Sequence, residues 1–108
     1  MILEKSSFVE INKRNSKRII LFGSGNIAEK TIQKVGVSNI ECIVDNSADL
    51  QGTEYQGLQI KSPVVITEKH FIIICTTAIS EITLQLLDLN LKPNKDFIIS
   101  PVLNDLLS

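Results

Sequence analysis

"RIILFGSGNIAEKTIQKVG", residues 18–36, sets an apolar burst, a glycine-rich turn and an amphipathic stretch in direct succession. The burst "RIILF" is brief, rich in branched side chains and apolar at successive positions, which is how a strand covered on both faces reads. Beyond the turn, Ile27, Ala28, Thr31, Ile32 and Val35 recur at helical spacing, with Glu29, Lys30, Gln33 and Lys34 on the other side. Gly36 is placed to end that helix.

Outward from this stretch the alternation repeats. "IECIV" (40–44), "FIIIC" (71–75) and "DFIIS" (96–100) read as further strands, and Ile79, Ile82, Leu86 and Leu89 form a second helical stripe that "NLKPN" ends at Pro93. Strands alternating with helices predict an α/β fold with a mainly parallel sheet of about five strands and right-handed crossovers. The middle, "NSADLQGTEYQGLQIKSP" (46–63), leaves no room for a full helix. It predicts a loop, one short strand near residues 58–60, and an irregular return through "VVITEKH". An edge strand there offers pairing to a second copy, as in a homodimer. Residues 1–17 read as an N-terminal extension with a short helix, and "SPVLNDLLS" as a brief terminal helix. With no linker or repeat, residues 1–108 read as a single domain.

Hydrophobic residues make up 44% of the chain and charged residues 21%, which places it in the ordinary globular class rather than the disordered, fibrous or membrane classes. At 108 residues it is long enough for one core. A formal charge of −1 gives no electrostatic case for nucleic acid, because phosphate-tracking surfaces need an excess of Lys and Arg. No apolar stretch approaches the roughly 18 residues of a membrane span, and the N-terminus lacks a signal peptide's apolar core. A cytoplasmic protein without a membrane partner is expected. Cys42 and Cys75 sit inside β-branched apolar runs and read as small buried hydrophobes rather than a disulfide or metal site. His70, the only histidine, reads as a surface loop residue.

In "FGSGNIA", Gly23, Gly25 and Ala28 fill the pattern G-x-G-x-x-G/A at a strand-to-helix junction. Gly23 permits the tight turn, Gly25 lets the backbone approach a pyrophosphate, and a small residue at 28 lets helix and strand pack closely. The helix start then offers unpaired N–H groups to an anion. The pattern calls for an acid about 20 residues on, at the tip of the second strand, to bind a ribose hydroxyl. Asp45 follows "IECIV" at that place. A carboxylate there repels a 2′-phosphate, and Asn46 and Ser47 supply no arginine, so NAD or another nucleotide with a free ribose is favoured over NADP. The same residues also serve a turn that binds nothing, Gly at the reversal and Asp in "DNS". Thr76 and Thr77, after the third burst, either face the ligand crevice or cap the next helix.

Catalytic constellations are missing. Tyr55, the only tyrosine, has Gln59 four residues later, so the Tyr-x-x-x-Lys pair of short-chain dehydrogenases is absent. One histidine in a loop assembles no Ser-His-acid triad. Methyltransferases also place an acid after the second strand, but Phe22 and Asn26 stand where their acid and third glycine belong.

"KRIILFGSGNIAEKTI", "IVDNSADLQGTEYQGLQIKSP" and "FIIICTTAISEITLQLLDLNL", taken in that order, resemble the small Rossmann-like nucleotide-binding domain of bacterial polysaccharide biosynthesis proteins. Such domains stand at the N-terminus of nucleotide-sugar dehydratases and sugar acyltransferases, and occur attached to methyltransferases and glycosyltransferases. The likeness runs from about Lys17 to Ser100. It implies a three-layer Rossmann-like fold and an NAD, nucleotide-sugar or coenzyme A type ligand. Gly23, Ser24, Gly25 and Asn26 would lie at its phosphates, Asp45 at a ribose, and Thr76 and Thr77 along the cleft, with Ile27 and Asn46 beside them. Where acyltransferase members carry Gly-His-Gly, this chain has Asn26, Ile27 and Ala28, and neither catalytic half lies within these 108 residues. Binding alone therefore carries over, as a module of surface-polysaccharide or nucleotide-sugar metabolism. The alternatives are an NAD-presenting subunit whose catalytic residues lie on a partner, a methyltransferase-associated domain, and an interaction domain with an empty loop.

Overall fold

The structure, a computed structural model, describes Phe8 and residues 17–103. It is an α/β fold whose six strands form one sheet: β1 (Arg18–Phe22), β2 (Ile40–Val44), β3 (Glu54–Tyr55), β4 (Leu58–Lys61), β5 (His70–Ile74) and β6 (Phe97–Ile99). Their spatial order is β3-β4-β2-β1-β5-β6, and every pairing except the β3–β4 hairpin is parallel. From β1 the chain steps outward to β2 and β4, then crosses back to β5 and steps outward the other way to β6. The strand order therefore reverses between β1 and β5.

Within residues 17–103 two α-helices cover the sheet: α1 (Asn26–Val35) joins β1 to β2, and α2 (Ile79–Asp88) joins β5 to β6. Crossovers of one hand that step in opposite directions put their helices on opposite faces. The core divides accordingly. Ile19, Leu21, Ile43, Phe71 and Ile73 pack with Ala28, Ile32 and Val35 of α1. Their strand neighbours Ile20, Phe22, Val44, Ile72 and Ile74 pack with Ile82 and Leu86 of α2. This is why β5 is buried at all five positions and, after His70, reads as an unbroken apolar run. β4 differs: Leu58 and Ile60 are buried on the α1 side, while Gln59 and Lys61 are exposed. The connection that precedes it runs through turns and β3 rather than a helix, so its other face stays wet.

A buried polar chain ties α1 to the strand ends. Thr31 Oγ1 donates to the Ile27 carbonyl at 2.7 Å and lies 2.7 Å from Ser100 Oγ and 3.6 Å from Cys75 Sγ. With the Thr31 proton directed at Ile27, Ser100 and Cys75 act as donors to it. Burial pushes the Cys75 thiol up to about 12, and it raises Cys42 as well. Both are free and buried, which suits small hydrophobes and leaves neither as a thiolate nucleophile.

The structure departs from the sequence-based expectations at four places. A sixth strand, β3, lies in the middle segment, formed by a two-residue turn in which Gln56 and Gly57 both take positive φ (54° and 84°). Glycine favours that geometry, but glutamine masks it in the sequence. The second helix ends well before Pro93, because Asn90 adopts a left-handed φ of 66° and the amides of Asn90 and Leu91 bond back to Leu87 and Leu86. Leu89 thereby leaves the apolar stripe for solvent, and Leu91 is buried in its stead. His70 is a buried residue opening β5, not a surface loop residue. At the C-terminus, Pro101–Leu103 form a 3-10 turn; residues 104–108, and all of the N-terminal extension before Lys17 except Phe8, lie outside the described residues. No helix among the described residues is long and apolar enough to cross a membrane.

Candidate functional site

The carboxyl ends of β1, β2 and β5 bring most of the candidate residues together. Gly23 leaves β1 with a φ of 107° and a backbone amide bonded to the Val44 carbonyl at 2.8 Å. A Cβ on it would come within 3.2 Å of both the Cys75 carbonyl oxygen and Thr76 Cβ. Gly23 therefore holds the ends of β1 and β5 close, a tighter task than a turn alone demands. Gly25 is held at φ 123°, and the place a Cβ would occupy has no heavy atom within 4 Å. One glycine is packed; the other opens onto free space.

The first backbone bond of α1 runs from the Glu29 amide to the Gly25 carbonyl at 2.9 Å. No side chain caps this helix start. The amides of Ser24, Gly25, Asn26 and Ile27 find no acceptor among the described residues, as expected of a helix beginning with no capping side chain. Asn26 and Ile27 also line an open groove of about 720 Å³ between α1 and Pro101, with Lys30 and Lys34 along it.

Asp45 stands beside that loop. Its backbone is pinned by bonds from its amide to the Lys61 carbonyl and from Gln51 Nε2 to its own carbonyl. Oδ1 accepts the Ser47 amide at 2.9 Å, the turn chemistry that "DNS" predicts. Oδ2 meets the Ser24 hydroxyl at 3.5 Å, the outer limit of hydrogen bonding. The carboxylate thus serves its own turn with one oxygen and faces the glycine loop with the other.

Asn46 engages α2, exchanging two amide hydrogen bonds of 2.9 and 3.0 Å with Gln85. Thr76 is half-buried against Gly23, and its hydroxyl accepts the Ala78 amide at 3.3 Å just ahead of α2. Thr77 is exposed beside it. The loop, Asp45 and Thr76 therefore converge, while Asn46 turns to the opposite helix.

One residue at this site escaped sequence reading. Tyr55, on the β3–β4 hairpin, is half-buried against the α1-side core, and its hydroxyl donates to the Gly25 carbonyl at 2.9 Å. Its sequence signal was the "YQGL" hairpin turn, which folds the chain back to bring a residue thirty positions away onto the loop.

A second polar cluster occupies the amino end of the sheet. Glu41 accepts from Arg18 Nη1 at 2.9 Å and from His70 Nε2 at 2.8 Å. His70 Nδ1 accepts the Thr67 amide at 3.0 Å, which fixes the neutral ring as the Nε2–H form. The Arg18 hydrogen bond draws the Glu41 carboxyl below its ordinary value, burial opposes it, and His70 adds to the lowering. Asp96 accepts from Lys17 and from the Lys92 amide; burial raises its pKa, and these partners outweigh it to leave the group lowered. No group of three or more His, Cys, Asp or Glu among the described residues is placed to hold a metal ion.

No curated protein and no solved structure matches the chain. A family model does, over residues 15–97, a span that takes in both helices, the glycine loop, Asp45 and Tyr55. The chain belongs to the family described as C2185-like, N-terminal.

Proposed function

We propose that this domain is a three-layer Rossmann-like module that binds a dinucleotide or nucleotide-sugar, with the diphosphate on the amides of residues 24–27 and a ribose on Asp45. The observation that carries the reading is the contrast within the loop. Gly23 is packed against β5, whereas Gly25 turns its bare side to open space beside amides without acceptors. A diphosphate is the kind of ligand such a surface suits, because its oxygens can take several N–H donors at once near the positive end of a helix dipole. Asp45 Oδ2, held only at 3.5 Å by Ser24, has capacity for a ribose hydroxyl. The reversal of strand order between β1 and β5 supports the same place, since open α/β sheets bind ligands outside the carboxyl ends at such a point. The resemblance to polysaccharide-biosynthesis domains extends the reading to a cytoplasmic role in surface-polysaccharide or nucleotide-sugar metabolism, as a binding module rather than an enzyme.

Thermal unfolding with NAD, NADP, UDP-sugars, coenzyme A and S-adenosylmethionine tests this. A ligand at a hundred times its Kd stabilises by about 2.7 kcal/mol, or about 10–20 °C in a domain of this size. NAD or a UDP-sugar should raise the midpoint and NADP should not; Asp45→Ala, which also loses the bond from the Ser47 amide, should lower the unliganded midpoint by a few degrees and remove most of the ligand-induced rise. A rise with S-adenosylmethionine alone would replace the reading with a methyltransferase-associated one. No rise with any of them would leave an interaction domain.

A further inference from the structure

We infer that Tyr55 is a positioning residue for the phosphate-binding loop, fixing the peptide plane between Gly25 and Asn26 so that the Asn26 amide faces the ligand; this rests on the reading proposed above. Two donors converge on the Gly25 carbonyl oxygen, the Glu29 amide at 2.9 Å and the Tyr55 hydroxyl at 2.9 Å. Both lone pairs of that oxygen are thus engaged. The Gly25–Asn26 peptide is trans, so its N–H points away from its C=O, out of the helix start. Glycine at φ 123° has no side chain to restrict rotation of that plane, and the phenol supplies the restriction from outside the loop. Donation to a carbonyl also polarises its own peptide unit, which makes the N–H on the far side a stronger donor.

The placement of Tyr55 is itself well determined. It pairs across the hairpin with Leu58, which is buried in the α1-side core, and its own ring packs against that core. The Gly52 amide bonds to Ile60 and the Ile60 amide to Thr53, closing the hairpin onto its flank. The hydroxyl is therefore brought to Gly25 by a buttressed element rather than a loose loop.

Calorimetric titration of wild type, Tyr55→Phe and Thr53→Val with NAD, UDP-glucose and inorganic pyrophosphate tests the inference. Tyr55→Phe keeps the ring and removes only the hydroxyl. It should weaken binding about three- to tenfold, by a similar factor for every probe that binds, because the loss lies at the phosphates. Thr53→Val removes only the hydroxyl's bond to the Leu50 carbonyl at the base of the same hairpin, leaves the Tyr55–Leu58 pair in place, and should leave Kd unchanged while lowering the midpoint of unfolding. Tyr55 is the only tyrosine and there is no tryptophan, so the wild-type emission should change saturably as pyrophosphate is added. Equal affinity in wild type and Tyr55→Phe overturns the positioning role and leaves nucleotide binding standing. Equal losses in Tyr55→Phe and Thr53→Val overturn it too, reducing Tyr55 to hairpin stability. Failure of the wild type to bind any of the three probes instead removes the nucleotide reading, and this inference with it.

Discussion

At the amino end of the sheet, Glu41 divides its carboxylate between Arg18 and His70, and Asp96 divides its own between Lys17 and the Lys92 amide. At the carboxyl end, the amides of residues 24–27 have no acceptor among the described residues, and Asp45 Oδ2 reaches only the Ser24 hydroxyl at 3.5 Å. The two ends engage their polar groups differently. Groups already paired inside the protein stabilise the fold and have little left for a ligand. Groups held in place by their backbone and left unpaired contribute less to stability and are available for binding. Charge and histidine content alone point to the end whose groups are already paired within the protein.

The largest effect that can break this division is expected at Asp96. Its carboxylate is nearly buried and accepts both a charged and a backbone donor, so Asp96→Ala should lower stability by about 2–3 kcal/mol in chemical denaturation at neutral pH. Nucleotide affinity, measured where the variant is still folded, should not move; a parallel loss of affinity would show that the two ends are coupled. Glu41→Gln should cost less, about 1 kcal/mol, because Arg18 is well exposed. Here pH sharpens the comparison. Glu41 is lowered from its ordinary value of 4.5 in the folded state, so its stabilisation is complete above that value and disappears as pH falls through the lower folded value. The gap between wild type and Glu41→Gln should be present at neutral pH and close in acid. A gap that persists unchanged below the folded value would remove Glu41 from the acid response. The smallest effect belongs to Gln85→Ala, which releases Asn46 and should change stability by no more than about 0.5 kcal/mol. Its use lies in binding: a measurable change in nucleotide affinity would return Asn46 to the ligand site from which its bond to α2 separates it.

The parts of the molecule legible in the sequence are those set by local chemistry. The glycine loop shows itself because positive φ at residues 23 and 25 demands glycine, and β1, β2 and β5 because burial on two faces leaves no polar alternation. Asp45 is legible because the strand before it fixes where the tip falls. Tyr55 is not, since its partner is a carbonyl thirty residues away and nothing in "EYQG" names that partner. His70 is illegible for a related reason: a histidine at the start of a strand looks like the end of a loop until Glu41, from a strand two places across the sheet, supplies its bond. The end of α2 followed Asn90 rather than Pro93 because a left-handed asparagine stops a helix through geometry, ahead of a proline that stops it by lacking an N–H.

The hairpin that brings Tyr55 to the loop also decides what the sheet presents at its outer margin. β3 contributes only two residues there, and one of them, Glu54, is exposed. A neighbouring molecule laying its own β3 alongside would gain two residues of ladder at most and would bring two acidic side chains together. So short and charged a border discourages edge-to-edge pairing at this margin of the sheet.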